Sequence, residues 1–99
     1  MATISVLYPA GTNFKMDYYM STHMPLVQQK WGSYGLKSWK VVQMPSEQPF
    51  CVMALLEFDS MASFQKAGAG PEREDVMNDI KNFSDKEPTI LTGGMVGSS

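Results

Sequence analysis

The chain contains one histidine, and it is the residue best suited to transfer a proton near neutral pH. His23 stands in the block Asp17-Tyr18-Tyr19-Met20-Ser21-Thr22-His23-Met24-Pro25. Imidazole changes its protonation state near pH 7, and a nearby tyrosine hydroxyl can orient a carbonyl or hydroxyl oxygen. We predict that His23 and Tyr19, one helical turn apart, are catalytic. The alternative is a structural histidine that stabilises the helix before the Pro25 break.

Further residues are candidates for binding an apolar substrate. Nine methionines, two tryptophans, four tyrosines and five phenylalanines favour a cavity that adapts to an irregular ligand, or alternatively a loosely specified core. Asp79 and Asn82 can cap the end of the last helix, or Asn82 can lie at the pocket mouth. Trp31 is a further candidate pocket wall. The predicted substrate-binding residues are Tyr8, Tyr18, Trp39, Asn82 and Phe83.

Composition argues against several other function classes. The net charge is −2 and the basic residues are scattered, which is unlike a nucleic-acid-binding surface. His23 and Cys51 lie too far apart in the chain to form a zinc-ligand cluster, and a Cys51–His23 nucleophilic pair is disfavoured because Cys51 lies in an apolar run. We therefore predict neither a metal nor a cofactor. One cysteine, no signal-like N-terminus and no long apolar run predict a cytoplasmic protein without membrane contact.

The elements that must position these residues follow from the hydrophobic pattern. Strands are predicted over residues 3–8, 36–43, 50–58 and 88–96. A helix over 14–33 is interrupted at Pro25, a second covers 60–69 and a third begins at Pro71. This order predicts an α+β, ferredoxin-like βαββαβ fold with a four-stranded antiparallel sheet. Residues 1–96 form one domain, and 97–99 are a flexible tail.

The third predicted strand, residues 50–58, is apolar on both faces and must be covered on both. It therefore belongs at the centre of the sheet. The two helical segments can cover only one face of the four-stranded sheet, so a partner is required on the other face. A second copy of the chain is the simplest partner, and we predict a homodimer.

The residues quoted above carry a resemblance to a known family. The chain resembles the EthD family. In that family Thr usually follows the Asn-Phe pair, whereas this chain has Ser84 after Asn82-Phe83. The matching segments are Leu7-Tyr8-Pro9, Asp17-Tyr18-Tyr19, His23-Met24-Pro25-Leu26, Pro71-Glu72 and Val76 to Ser84. The resemblance implies a dimeric α+β barrel with a pocket between sheet and helices in each protomer, and it identifies His23 as the characteristic histidine.

The resemblance does not select one reaction, because relatives in this superfamily resemble dehydratases, decarboxylases, cyclases, monooxygenases and haem-degrading enzymes. Our first hypothesis is a cofactor-independent lyase- or cyclase-type enzyme that acts on a small apolar carbonyl or phenolic compound in a degradative or secondary-metabolite pathway. The second is a non-catalytic ligand-binding accessory protein of such a pathway. A monooxygenase or haem-binding relative is the third.

Overall fold

The computed structural model describes residues 1–99 and contains one antiparallel sheet in the order β2-β3-β1-β4. Its strands are β1 (Ala2–Pro9), β2 (Leu36–Gln43), β3 (Phe50–Phe58) and β4 (Thr89–Gly94). The predicted α+β fold with a four-stranded sheet is confirmed, and β1 and β3 are central. β4 is shorter than the predicted 88–96 because its only partner, β1, begins at Ala2, which pairs with Gly94.

The two faces of the sheet have different surroundings. Alternate side chains of β3 (Val52, Ala54, Leu56 and Phe58) are buried beneath the helices. The intervening ones (Cys51, Met53 and Leu55) point to the opposite face and are only half-buried. All helices lie on one face, so the apolar pattern predicted for β3 is present, and its second face has no cover within the chain.

The first helical segment is broken into four pieces, α1 (Met16–Tyr18), a π-helical turn (Tyr19–His23), α2 (Met24–Trp31) and a 3₁₀ turn (Gly32–Tyr34). The sequence predicts only an interruption at Pro25. The wider turn arises just before it, where the Met24 N–H donates to the Tyr19 carbonyl five residues back. Because Pro25 has no N–H, it cannot continue the α-helical ladder, and α2 starts anew with Pro25 in its first turn.

The second helical segment is divided as predicted, into α3 (Met61–Ala69) and α4 (Glu72–Asn78), followed by a 3₁₀ turn (Ile80–Asn82). The Ser60 hydroxyl caps α3 by accepting a hydrogen bond from the Ser63 N–H at 3.1 Å. Three acidic residues lie in the first turn of α4, where the helix dipole favours negative charge. No helix is long and apolar enough to cross a bilayer.

Candidate functional site

His23 lies in the π-helical turn and is almost completely buried, with 5% of its surface exposed. Its Nδ1 atom lies 2.9 Å from Oδ2 of Asp79, which follows α4. An ionised carboxylate can only accept a hydrogen bond, so Nδ1 must carry the proton. Nε2 then has a free lone pair, and it makes no hydrogen bond within the chain. This tautomer is the one that can accept a proton from a ligand at Nε2.

Three side chains surround the Asp79 carboxylate. Besides His23, the Tyr18 hydroxyl donates to Oδ1 and the Asn82 amide donates to the same oxygen at 2.8 Å. Burial opposes ionisation of Asp79, but the hydrogen bonds from these donors outweigh it and lower the pKa of the carboxyl below its ordinary value. Asp79 is therefore ionised at neutral pH and holds the imidazole in one orientation.

The protonation state of His23 follows from two opposing effects. Burial lowers the pKa of the imidazole, whereas the Asp79 carboxylate raises it, and burial is the larger effect. The net pKa lies below the usual 6.5, so His23 is neutral at pH 7. The pKa of Tyr18 is raised, chiefly by its hydrogen bond to Asp79. Tyr18 thus remains a hydroxyl donor and keeps the carboxylate in place.

Two aromatic rings that also contact each other pack against the imidazole. Tyr19 stacks on His23 with ring centroids 5.3 Å apart and planes 16° apart, and the Phe83 centroid lies 4.5 Å away. Tyr8 approaches both Tyr19 and Phe83. Burial raises the pKa of both Tyr8 and Tyr19, and Tyr19 adds to the shift of Tyr8. Both hydroxyls therefore stay protonated and can donate to a ligand.

A cavity of about 50 Å³ lies between the sheet and the helices beside His23. Tyr8, Tyr19 and His23 line it together with aliphatic side chains such as Met24 and Val27. It adjoins an open groove of about 520 Å³, and the two share the side chains of Met77, Ile80, Pro88 and Ile90. The inner space is smaller than the roughly 150 Å³ cavity that holds benzene. A larger ligand must therefore extend into the groove or displace the flexible methionines.

The structure places most of the predicted site residues around His23. Tyr19 and Tyr8 line the cavity, and Phe83 packs against the imidazole. Tyr18 and Asn82 bind Asp79 and do not line the inner cavity. Trp39 lies apart from this cluster, on the edge strand β2, where it pairs with Leu56 of β3. Its distance from His23 follows from the position of β2 at the sheet edge.

The sequence predicts only a capping role for Asp79 and does not predict its contact with His23. The two residues are 56 positions apart in the chain, so no local spacing connects them. The fold topology is the feature that could have indicated this contact. In a βαββαβ fold both helical segments lie on one face of the sheet, and here α2 contacts α4. A carboxylate directly after α4 is therefore a candidate partner for a histidine directly before α2.

Cys51 takes no part in this site. It lies on the face of β3 opposite the helices, and its thiol donates to the Pro9 carbonyl at 3.4 Å. The sheet separates it from His23, so the two cannot act as a nucleophilic pair. No group of three or more His, Cys, Asp or Glu side chains is placed to hold a metal ion.

Comparisons with known proteins give one family and several close folds. The EthD domain model matches residues 13–87. An uncharacterised 11.0 kDa protein from the thcB–thcC intergenic region of Rhodococcus erythropolis is 31% identical over 90 residues, which cover 90% of this chain and 87% of that protein. The crystal structure of an EthD-like protein from Ralstonia eutropha superposes with a TM-score of 0.84 at 25% identity, covering 99% of this chain and 94% of that one. The crystal structure of an ethyl tert-butyl ether D family protein from Bacillus halodurans superposes with a TM-score of 0.77 at 25% identity, covering 97% of this chain and 99% of that one.

Proposed function

We propose that this chain, which belongs to the EthD family, catalyses a cofactor-independent lyase- or cyclase-type reaction on a small, mostly apolar carbonyl or phenolic compound. The observation that carries the proposal is that His23 lies in the wall of an apolar cavity while Asp79 holds its Nδ1 atom from behind. A buried, neutral imidazole with one nitrogen fixed by a carboxylate is suited to general base catalysis. The same pair later returns the proton to the product.

Each residue of the site has a role in this reaction. Nε2 of His23 accepts a proton from the ligand, and the Asp79 carboxylate stabilises the imidazolium that forms. Tyr19, with Tyr8 beside it, donates a hydroxyl hydrogen bond to the ligand oxygen on which negative charge develops. The aliphatic side chains that line the cavity limit the access of water to the imidazolium and to the charge on the ligand oxygen. One well-placed proton acceptor contributes about 10²–10⁴-fold in rate.

Deuterium exchange tests this role without knowledge of the natural substrate. Small ketones with acidic α-hydrogens are incubated in D₂O, and NMR follows deuterium incorporation. The wild-type protein is expected to accelerate exchange of at least one such ketone, and His23→Asn to lose about 10²–10⁴-fold of that acceleration. His23→Asn keeps a donor toward Asp79 but has no base. Equal exchange rates for the two proteins would contradict the proposal.

A ligand-binding role without catalysis is the second candidate. The observation in its favour is the small size of the inner cavity, about 50 Å³, which leaves little room for a reacting molecule to change shape. The two functions differ in the exchange experiment. A binding protein would show saturable chemical-shift changes with the ketones and no exchange above the rate in buffer. Haem binding is disfavoured because the cavity beside His23 is far smaller than the macrocycle.

We also propose that two copies of the chain pair through the uncovered face of the sheet. Across this face, Val42 of β2, Met53 of β3 and Leu7 of β1 form a continuous apolar row. Leu55 and Leu91 lie in the next row. Exposed apolar patches of this kind are typical of protein–protein contacts. A homodimer covers the second face of both copies of β3.

The proposal also includes a type of pathway and a cellular location for the protein. A degradative or secondary-metabolite pathway fits a small apolar carbonyl or phenolic ligand. A cytoplasmic location is supported by Cys51, which is the single cysteine and is unpaired.

A further inference from the structure

The indole Nε1 of Trp31 is a fully buried polar atom that has no hydrogen-bond partner in the structure. Trp31 ends α2 and lines the same cavity as His23. Only 7% of its surface is exposed, and its Nε1–H makes no hydrogen bond. Buried polar groups are nearly always hydrogen-bonded, so an unpaired donor at a cavity wall needs an explanation.

The indole has no hydrogen-bond acceptor within reach of its Nε1–H. The Phe58 ring lies beside it with centroids 6.2 Å apart, and Met24 and Val27 precede it on α2. The indole N–H can donate and cannot accept. A ligand that pairs with this donor must therefore bring an oxygen or nitrogen lone pair to it.

We propose that Trp31 is a specificity-determining residue whose Nε1–H donates to an acceptor oxygen of the bound ligand. This inference rests on the proposed function, because it takes the His23 cavity as the ligand site. It makes the ligand an apolar molecule with a carbonyl-type oxygen directed toward Trp31. A hydrocarbon of the same shape leaves the donor unpaired and binds less well.

The spacing of Trp31 and His23 separates binding from proton transfer. Eight residues along α2 correspond to about 12 Å along a helix axis. The two side chains thus approach the cavity from points about two turns apart, with Val27 between them. An oxygen held by Trp31 leaves Nε2 of His23 free for the reacting end of the ligand. Loss of the indole donor should therefore raise KM more than it lowers kcat.

Two isosteric probes test the proposal, cyclopentanone and methylenecyclopentane, which differ only in C=O against C=CH₂. The chain has two indole N–H groups, and Trp39→Phe, a change outside the cavity, assigns their signals in a ¹H–¹⁵N spectrum. In the wild-type protein we expect cyclopentanone to shift the Trp31 indole proton downfield in a saturable way. The Trp39 signal serves as the internal reference. The alkene should give no downfield shift.

Affinity ratios give the second readout. Trp31→Phe is expected to reduce the preference for the ketone over the alkene by about 2- to 10-fold, the range for one hydrogen bond. Tyr19→Phe, which removes the other candidate donor, is the matched control. An unmoved Trp31 signal in the wild-type protein, whether or not Trp31→Phe folds, would overturn the proposal. An unchanged ratio in Trp31→Phe with a lost preference in Tyr19→Phe would also overturn it.

These outcomes are distinguishable from failure of the proposed function. If the ketone shifts the Trp31 signal and His23→Asn leaves exchange unchanged, the hydrogen bond from Trp31 is supported and catalysis by His23 is not. If exchange depends on His23 and no ketone that exchanges shifts the Trp31 indole signal, catalysis by His23 is supported and the hydrogen bond from Trp31 is overturned.

Discussion

The chemistry of the site depends on the balance between burial and charge at a single pair of residues. Burial alone would make His23 a weak base, and the Asp79 carboxylate partly offsets that loss. Asp79 can do so because Tyr18 and Asn82 keep it ionised despite its own burial. In the proposed reaction the Asp79 carboxylate takes the part that the carboxylate has in catalytic triads, where it fixes the tautomer and stabilises the imidazolium.

Replacing the carboxylate should weaken the base. Asp79→Asn removes the charge that raises the pKa of His23, so we expect that pKa to fall further and α-deuterium exchange to slow by about 10²-fold or more. Loss of the charged acceptor should also lower the free energy of unfolding by about 1–3 kcal/mol. NMR titration of the single histidine, exchange kinetics and urea unfolding measure the three effects.

Asp75→Asn is the matched control, because Asp75 lies on the same helix and pairs with Lys30 at the surface. An exposed ion pair contributes little to stability. An Asp79→Asn protein with the pKa and exchange rate of Asp75→Asn would show that the carboxylate does not act on His23.

The same pKa shift predicts an acid-sensitive stability. Because folding lowers the pKa of His23 below 6.5, the unfolded chain binds more protons just below that pH. The free energy of unfolding should therefore fall as pH drops from about 6.5 toward 5, before Asp79 is protonated. In His23→Asn, which cannot titrate, this part of the profile should be flatter. Parallel profiles from urea unfolding would contradict the assigned direction.

At the scale of elements, hydrophobic pattern predicted the sheet better than the first helix. β3 could be placed at the centre because five of its residues are apolar on one face and three on the other. The π-helical turn could not be predicted, because Tyr19 and His23 fit an α-helical spacing equally well. The turn lies just before Pro25, which lacks an N–H, and both of its aromatic side chains pack against Phe83, which is distant in the chain. The Asp79 contact and the Trp31 donor likewise depend on tertiary packing.

The junction between the first helical segment and β2 depends on Gly35. Its φ is +121°, and an added Cβ would lie 2.6 Å from a carboxylate oxygen of Asp59. Gly35→Ala should therefore destabilise the protein by about 1–3 kcal/mol. Gly68→Ala in α3, where an added methyl group meets nothing within 4 Å, should instead stabilise it by about 0.5–1 kcal/mol. Equal urea midpoints for the two variants would contradict this assignment.

At the scale of the whole molecule, one sheet carries two apolar faces and the chain covers only one. The uncovered face is apolar at one end, around Met53, and polar at the other, where the Thr3 hydroxyl donates to Glu57 at 3.0 Å. On the two edge strands, Val42 of β2 is 39% exposed and Leu91 of β4 is 55% exposed. This pattern directs the partner to the Met53 end of the sheet.

A charge at the Met53 end of this face should disrupt the dimer. We expect the wild-type protein to have twice the 11.0 kDa chain mass in light scattering at micromolar concentration. Met53→Glu should give a monomer, because a carboxylate would be buried without a partner. Met20→Glu places the same change on an exposed methionine on the helical side and should remain dimeric. A monomeric wild-type protein would refute the homodimer.

The central claim, that His23 is a neutral base with its Nε2 lone pair free, is tested most directly by ¹⁵N NMR of the imidazole in untagged protein. The chain has one histidine, so the two ring nitrogens need no further assignment. We predict a proton on Nδ1, none on Nε2 at pH 7, and a titration midpoint below 6.5. A proton on Nε2 at pH 7, or a midpoint above 6.5, would contradict the account.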